Sequence, residues 1–439
     1  MFDKAFRHRT TALALAAAGS MILAACGSNN SSGSSGGVSA LLKPVPKAKI
    51  TLTVWSFMPG EYTKGPQAYS AVVKAFEAKY PQVKINLENM PYGPYFGRVR
   101  DATVARKGPD VITMYGGAQA YSYRHGLYPL QNAMQPAVKK NLKFVADNYS
   151  KDGNLYILPA GTYGYALVVN RRLFAQAGIS PAHALSSWSN FLGSCRELSA
   201  KGIQPIASGW KDGYLFETFM YMMSSEMMDT ATLKKWVAGK IPVDAPMFKT
   251  ATGYILDMNK AGCFGGKAAL GRNMYDDAFN QYYAGKTAMM VTGSMSTAEQ
   301  SYHSVPSTTV MRFPQVPGSK YTNLIDAGAE TGWGVTKWTK YPEAAGAFVN
   351  FLVSPQAETI IWKTVEVPPN LKNVTVKTTT PMQKAFVPLM ENPVNHTGFE
   401  AFPLTVLATY ERNAAPLISG SMSPAEFTSQ AQSAFQQSH

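Results

Sequence analysis

The chain has 439 residues, of which 46% are hydrophobic and 15% charged, a composition that excludes a disordered protein. At this length two α/β lobes are expected rather than one hydrophobic core. The formal net charge is +14, but lysine and arginine are spread singly and form no basic block with interleaved aromatic residues. This distribution argues against a nucleic-acid-binding protein and favours a solvated basic surface.

The first 25 residues have the layout of a secretory signal peptide. Basic residues precede an apolar run from Ala12 to Ala25, which is too short to span a bilayer comfortably. The run continues into Cys26-Gly27, and residues 23–27 resemble the lipobox of bacterial lipoproteins. The resemblance implies cleavage before Cys26, acylation of this residue, and anchoring of an exported protein to the outer face of the cytoplasmic membrane. Residues 26–47, which begin with a Gly/Ser/Asn stretch, are predicted to be a flexible tether.

Cysteine and histidine usage limits the chemistry of the exported chain. Besides Cys26, only Cys195 and Cys263 occur. In an exported protein these two residues can pair, but Cys195 also falls on the apolar face of its predicted helix, so a buried free thiol is an equal alternative. The six histidines are scattered, and no two share the helical spacing of metal ligands. We therefore predict neither a metal site nor a cofactor.

The first part of the exported chain alternates strands with helices. Strands are predicted at 49–56, 83–87 and 108–115, and helices at 67–80 and 95–106. This order requires parallel pairing with right-handed crossovers. Ligands gather at the carboxyl ends of the strands in such sheets, and these ends are the loops at 55–59 and 114–119.

Residues 155–170 form an apolar stretch that is interrupted by Pro159, Gly161 and Gly164. A proline followed by two glycines does not suit a helix, and the apolar run that follows does not suit a surface loop. An extended segment that crosses from one packed unit to another accounts for both features. Tyr163, between the two glycines, would then face the space between the units.

The second part of the chain contains more helix. Helices rich in Met and Phe at 216–228, 231–237 and 248–258 are interpreted as core elements. Further elements are predicted as a helix at 185–198, strands at 203–210 and 286–292, a glycine-rich extended segment at 328–336, and helices around 345–352 and 404–435.

These segments in this order resemble the family 1 extracellular solute-binding proteins, the sugar-binding lipoproteins of bacterial ABC importers that include the maltose-binding proteins. The resemblance covers nearly the whole exported chain. The matching segments are 52–55, 108–111, 126–130, 165–174 with 177–179, 284–290 with 293–294, and 341–354. It implies an α/β, two-lobed periplasmic-binding-protein-like fold, in which each lobe is a mainly parallel sheet flanked by helices. Crossing hinge segments would join lobe 1 (48–160 plus 334–371) to lobe 2 (161–333 plus 372–439).

A sugar site needs flat aromatic surfaces together with carboxylates and amides that satisfy the desolvated hydroxyls. Trp333 is the main aromatic candidate because it lies between two glycines, and Trp333→Ala is expected to weaken binding without unfolding the protein. Many members of the family carry Trp at the position that follows the Gly-Ser at the end of this strand. In this chain Ser294 is followed by Met295 instead. The complete set of predicted ligand-binding residues is Trp55, Glu61, Tyr115, Tyr163, Trp210, Asp212, Ser294, Glu330 and Trp333.

The resemblance implies a monomer that binds a sugar or oligosaccharide and the permease subunits of an ABC transporter. It implies no enzymatic activity, and after the predicted tether no Gly-x-Ser-x-Gly or His-Glu-x-x-His motif occurs. Three alternatives stay open: a secreted carbohydrate-active enzyme, a scaffold lipoprotein, and the same fold with an anionic solute. Such a solute, a uronate oligomer or a glycerophosphodiester, would draw on Arg98, Lys211 or Arg272 for positive charge.

Overall fold

The computed structural model describes residues 37–145, 149–294, 307–321, 324–390 and 401–438. The strands are β1 (Ile50–Ser56), β2 (Val83–Asn89), β3 (Val111–Met114), β4 (Leu158–Asn170), β5 (Gln204–Ile206), β6 (Thr287–Gly293), β7 (Thr308–Met311) and β8 (Ala327–Val335). The helices are α1 (Gly37–Ala40), α2 (Met58–Glu61), α3 (Gly65–Lys79), α4 (Tyr92–Ala105), α5 (Gly117–Ser122), α6 (Pro136–Asn141), α7 (Arg171–Gln176), α8 (Pro181–Ala184), α9 (Trp188–Ala200), α10 (Tyr214–Met227), α11 (Thr230–Val237), α12 (Pro246–Lys260), α13 (Phe279–Tyr283), α14 (Pro342–Leu352), α15 (Pro355–Val365), α16 (Pro381–Met390), α17 (Leu404–Ser419) and α18 (Pro424–Gln437). No helix in these ranges is both long and apolar enough to cross a membrane.

The strands form one mixed sheet in the order β2-β1-β3-β8-β4-β6-β5, with β7 paired to β4. β1 pairs in parallel with β2 and β3, as the alternation of strands and helices predicts. β5 and β6 also pair in parallel, whereas β4 runs antiparallel to β6, β7 and β8. The helices flank this sheet, and the predicted α/β class is confirmed.

Two hydrophobic clusters hold the sheet and helices together. The first cluster contains β1, β3 and α14 side chains, and the second contains those of β6, α10 and α12. β4 contributes Leu158 to the first cluster and Val168 to the second, while β8 contributes Val335 to the first and Ala327 to the second. β4 and β8 therefore run side by side from one cluster to the other. The lobe boundaries themselves stay a prediction.

The predicted flexible tether, residues 26–47, is too long at its carboxyl-terminal end. Leu41 is only 2% exposed and belongs to the first cluster. Its carbonyl oxygen would lie 2.1 Å from a Cβ added to Gly346, so this glycine in α14 allows the N-terminal segment to dock closely. Burial of the apolar Leu41 side chain therefore fixes the segment around this residue. Cys26 lies outside the described residues.

Cys195 and Cys263 form a disulfide bond, which decides between the two alternatives left open by the sequence. The bond joins α9 to the segment after α12, and both cysteines are fully buried. Disulfides of this kind persist in oxidising compartments, which agrees with an exported protein.

Candidate functional site

Aromatic rings gather where β1, β2 and β3 end. Phe57 directly follows β1, Tyr92 begins α4 after β2, and Tyr115 directly follows β3. The ring of Phe57 lies 5.1 Å from that of Tyr92 and 5.7 Å from that of Tyr115, while Phe96 stacks on Tyr115 at 5.8 Å. The three parallel strands thus deliver these rings to one edge of the sheet. We call these four residues the aromatic wall.

Tyr92 is the exposed member of the aromatic wall. Its side chain is 46% exposed, although the ring is held against Phe57. A large, fixed and accessible aromatic face of this kind suits stacking against the C–H face of a sugar ring. Glu61, at the end of α2, lies near enough for its charge to raise the pKa of Tyr92.

A polar wall is formed by the start of α10 and the residues that support it. The Tyr221 hydroxyl donates a 2.9 Å hydrogen bond to Glu217 Oε2, and the Tyr165 and Tyr214 hydroxyls lie 3.1 Å apart. Asp212 accepts hydrogen bonds from two backbone N–H groups, at 2.7 Å from Met274 and 3.4 Å from Tyr214. This side chain fixes the start of α10.

Groups on the polar wall lie within electrostatic range of Tyr92 on the aromatic wall. Although the Tyr92 ring is partly exposed, desolvation by the surrounding protein raises its pKa; a hydrogen bond with Tyr115 opposes this shift, and the charges of Glu217 and Glu61 add to it. Glu217 and Tyr214, both in α10, therefore lie close enough to Tyr92 for their charges to affect it. The carboxyl of Glu61 is exposed, yet desolvation raises its pKa, as expected for a group surrounded by protein in a concave surface.

Comparison with known proteins identifies the family. Residues 60–359 match the family described as bacterial extracellular solute-binding protein. The chain belongs to this family. It is therefore a solute-binding protein, with the predicted resemblance confirmed.

Relatives of this solute-binding protein match it over different shares of its length. An ABC transporter extracellular-binding protein of Pyrococcus horikoshii is 21% identical over 395 residues, which are 85% of this chain and 83% of that protein. An arabinooligosaccharide-binding protein of Bacillus subtilis is 27% identical over 178 residues, 39% of this chain and 37% of that protein. A solved chitin oligosaccharide binding protein superposes with a TM-score of 0.75 at 21% identity, covering 88% of this chain and 98% of that chain. These relatives are binding proteins.

The structure buries three residues that the sequence placed in the ligand site of the solute-binding protein. Trp333 is 3% exposed and packs on Tyr69 at 6.0 Å within the first cluster. Trp210 is fully buried against Phe264 at 4.7 Å. Ser294, also buried, accepts a 3.1 Å hydrogen bond from the N–H of Gly164. In this conformation all three side chains are packed within the protein, and their roles in ligand binding stay predictions.

Trp55 is half-exposed but points away from the two walls. Its outer ring atoms lie 3.7 Å and 4.0 Å from the Cβ position of Gly108. Gly108 precedes β3, so the ring lies towards the amino end of that strand, whereas the aromatic wall lies at the carboxyl end. This direction argues against the predicted ligand contact.

The remaining predicted residues divide into those beside the walls and those outside the described part of the chain. Tyr115, Glu61 and Asp212 lie on the walls, and Tyr163 is buried with its ring 5.6 Å from Tyr165. The side chain of Glu330 and all of Met295 lie outside the described residues. The ligand-binding roles of the four described residues Tyr115, Glu61, Asp212 and Tyr163 stay predictions.

Sequence reasoning missed Tyr92, Phe57 and Glu217. The first two follow predicted strand ends, so the strand-end rule that selected Tyr115 could have found them as well. Glu217 was hidden in a Met- and Phe-rich helix interpreted as core. A carboxylate in such a helix was itself the signal, since buried charges are rare unless they have a partner or a function.

The buried carboxyl group of Glu358 connects separate segments of the chain near β4 and β8. Glu358 in α15 accepts hydrogen bonds from the N–H of Gly161 in β4 at 3.2 Å and from the N–H of Leu371 at 3.0 Å. Burial raises the pKa of Glu358 to about 7, although these N–H groups act in the opposite direction. With Trp333, this carboxyl lines a cavity of about 30 Å³.

Glu358→Gln should flatten the pH dependence of stability. The ordinary pKa of the carboxyl is 4.5 and the folded value is about 7, so the folded state holds this proton more tightly than the unfolded state. The contribution to the free energy of unfolding is complete below pH 4.5 and is lost as the pH rises through 7. Urea titrations between pH 4.5 and 8 should show a smaller fall in stability for the variant.

Glu77→Gln is the control for this prediction. Burial opposes the shift, but a hydrogen bond from the Ile85 N–H and the nearby Lys84 lower the pKa of Glu77 overall. Its contribution to stability is present above pH 4.5 and is lost only below that value, so Glu77→Gln should leave the fall in stability between pH 4.5 and 8 unchanged. Equal slopes in the wild type and Glu358→Gln would show that Glu358 is ionised throughout this range.

Proposed function

We propose that this protein captures a sugar or oligosaccharide between the aromatic wall and the polar wall and delivers it to an ABC importer. The observation that carries the proposal is the exposed ring of Tyr92 within electrostatic range of the carboxyl and hydroxyl groups of α10. Rings stack on sugar C–H faces, and carboxylates accept hydrogen bonds from sugar hydroxyls. Relatives named for arabinooligosaccharide and chitin oligosaccharide binding support this class of ligand.

The proposal includes hinge closure about β4 and β8. Both strands contribute side chains to the two hydrophobic clusters, so a bend within them would bring the walls together. Closure around a ligand is a well-known form of domain motion. The closed form would then be the one that the permease subunits recognise, with the protein monomeric and held at the outer membrane face through a lipid on Cys26.

Tyr92→Ala should weaken saccharide binding by roughly tenfold or more, because it removes a stacking surface at the centre of the aromatic wall. Since the side chain is 46% exposed, the unliganded variant should keep its stability. A thermal-shift panel of neutral, acidic and amino saccharides identifies the ligand, and calorimetry then gives both affinities. A ligand at a hundredfold excess over Kd adds about 2.7 kcal/mol to stability.

Tyr341→Ala is the matched control, because this tyrosine is 37% exposed at the start of α14 and lies away from both walls. It should bind as the wild type does. Saccharide turnover by the wild type would favour an enzyme, and no thermal shift with any saccharide would contradict the proposal.

A further inference from the structure

A cavity of about 370 Å³ is lined by residues of α5, α11 and the amino end of α17. Tyr121, which packs against the first hydrophobic cluster, and Trp236, a member of the second, both line it. Interfaces between packed units are common positions for small-ligand sites, which have volumes of about 300–1,000 Å³. Ala118, another lining residue, follows Tyr115 by three positions, so the cavity lies beside the aromatic wall.

Two cationic side chains converge on Tyr121 at this cavity. The guanidinium carbon of Arg124 lies 4.0 Å from the centre of the Tyr121 ring, and Lys151 Nζ lies 5.0 Å from it. The residue before Lys151 is held against α5, because the buried Ser150 hydroxyl donates a 3.0 Å hydrogen bond to the carbonyl oxygen of Gly117. Both cations line the cavity, so two positive charges are held at one place.

No carboxylate among the described residues pairs with these cations. Neither Arg124 nor Lys151 is part of an ion pair there, and the Asp152 carboxyl instead accepts a 2.7 Å hydrogen bond from Tyr156. The described residues that line the cavity include no aspartate or glutamate, and Asp212 of the polar wall is not among them. Like charges repel, so an anion at this position would relieve an unfavourable interaction.

Trp236 adds a buried donor to the same cavity. The residue is 1% exposed, and its ring packs on Phe248 at 4.6 Å and on Phe435 at 5.2 Å. Its Nε1–H is buried and has no acceptor among the described residues, and an unsatisfied buried donor costs free energy. Arginine, lysine and tryptophan side chains are donors only. The three therefore match a ligand group that only accepts hydrogen bonds, which is the property of a carboxylate.

We propose that this cavity binds the carboxylate of an acidic saccharide, so that the protein prefers uronate oligosaccharides to their uncharged counterparts. The inference rests on the proposed function and names the ligand class within it. Arg124 uses Nη1 for the carbonyl oxygen of Tyr121 at 3.0 Å, and its other N–H groups can hold a carboxylate in the bidentate geometry that arginine favours. Lys151 adds a second charge, and hydrogen bonds from ionised donors are about twice as strong as neutral ones.

Matched pairs of acidic and esterified saccharides test the preference directly. Calorimetry at pH 7 compares tetramers of galacturonate, mannuronate and glucuronate with their methyl esters, which keep each ring but carry no charge. At least one acid should bind more tightly than its ester by roughly tenfold or more, and the difference should shrink as NaCl is raised. Equal affinities within every pair, or binding of neutral saccharides alone, would overturn the inference while leaving saccharide binding intact. Failure of every saccharide to bind, neutral or acidic, would overturn the proposed function itself.

Arg124→Gln and Lys151→Gln should each reduce the preference for the acid over its ester by roughly fivefold or more. Both residues are partly exposed, so the variants should fold, and circular dichroism verifies this. Lys74→Gln, at an exposed position on α3 that does not line the cavity, removes the same charge and should leave the preference unchanged. An equal loss in Lys74→Gln, or no loss in either cavity variant, would contradict the assignment to this cavity.

Discussion

Trp333→Ala should lower the free energy of unfolding by about 3–5 kcal/mol, the usual range for truncating a buried tryptophan. The ring lies in β8 opposite Leu158 of β4 and Thr113 of β3, and it packs on Tyr69 of α3. It already borders a cavity of about 30 Å³, so its removal would create a larger void at the junction of three elements. Denaturant unfolding followed by circular dichroism measures this loss.

Tyr92→Ala provides the contrast for Trp333→Ala. The two substitutions remove large aromatic side chains, one 3% exposed and the other 46% exposed. Trp333→Ala should therefore reduce stability with little direct effect on saccharide affinity in the folded protein, and Tyr92→Ala should do the reverse. A stable Trp333→Ala protein that no longer binds would restore the sequence-based prediction of a stacking platform.

Removal of the Cys195–Cys263 disulfide should lower the free energy of unfolding by about 4 kcal/mol, as expected for a loop of this length under the chain-entropy account. The two cysteines are separated by 68 positions, so the bond strongly restricts the unfolded chain. The bond also positions β5, because the carbonyl of Cys263 accepts a 3.0 Å hydrogen bond from Ile206. Urea titration of the Cys195→Ala/Cys263→Ala protein measures the effect.

A reductant separates the covalent bond from the side chains around it. Wild-type protein unfolded in dithiothreitol should match the double variant in stability, while the double variant itself should not respond to the reductant. A loss below 1 kcal/mol would mean that packing of α9 and α12 holds the loop without the bond, against the chain-entropy account.

Strands were predicted well where the periodic pattern and the turn residues agreed. Residues 49–56 alternate polar and apolar side chains, and β1 occupies Ile50–Ser56. The interrupted stretch at 155–170 became β4, a strand buried along almost its whole length. In each case a local pattern and burial on the sheet select the same conformation, which is why a single sequence was sufficient.

Trp333 could not be placed from its neighbours in sequence. The flanking glycines suggested open space around the ring, but they make room for other residues instead. A Cβ on Gly332 would lie 2.3 Å from Ile157 Cδ1, and one on Gly334 would lie 3.3 Å from Leu127 Cδ2. Such contacts come from residues distant in the chain, and nothing in the local pattern distinguishes a glycine that accommodates packing from one that exposes a neighbour.

The proximity of three acidic residues at the start of α10 was hidden for a similar reason. Asp212, Glu217 and Glu411 become neighbours only because α10 packs on α17, and these helices are far apart in sequence. The net positive charge of the chain suggested an anionic solute as an alternative. Global charge describes the whole surface, whereas ligand selection depends on the few groups that converge within the site.

The docking of Leu41 on α14 has a mechanical consequence. Its carbonyl lies against Gly346, so a pull on the N-terminal end of the chain is transmitted to α14 and the first hydrophobic cluster. Under the proposed anchoring at Cys26, the half that contains the aromatic wall is the one joined directly to the anchored end. In the proposed hinge closure, the half that contains α10 would therefore move relative to the anchored half. Its helices, rather than those behind the aromatic wall, would change position in the solvent with each cycle of capture and release.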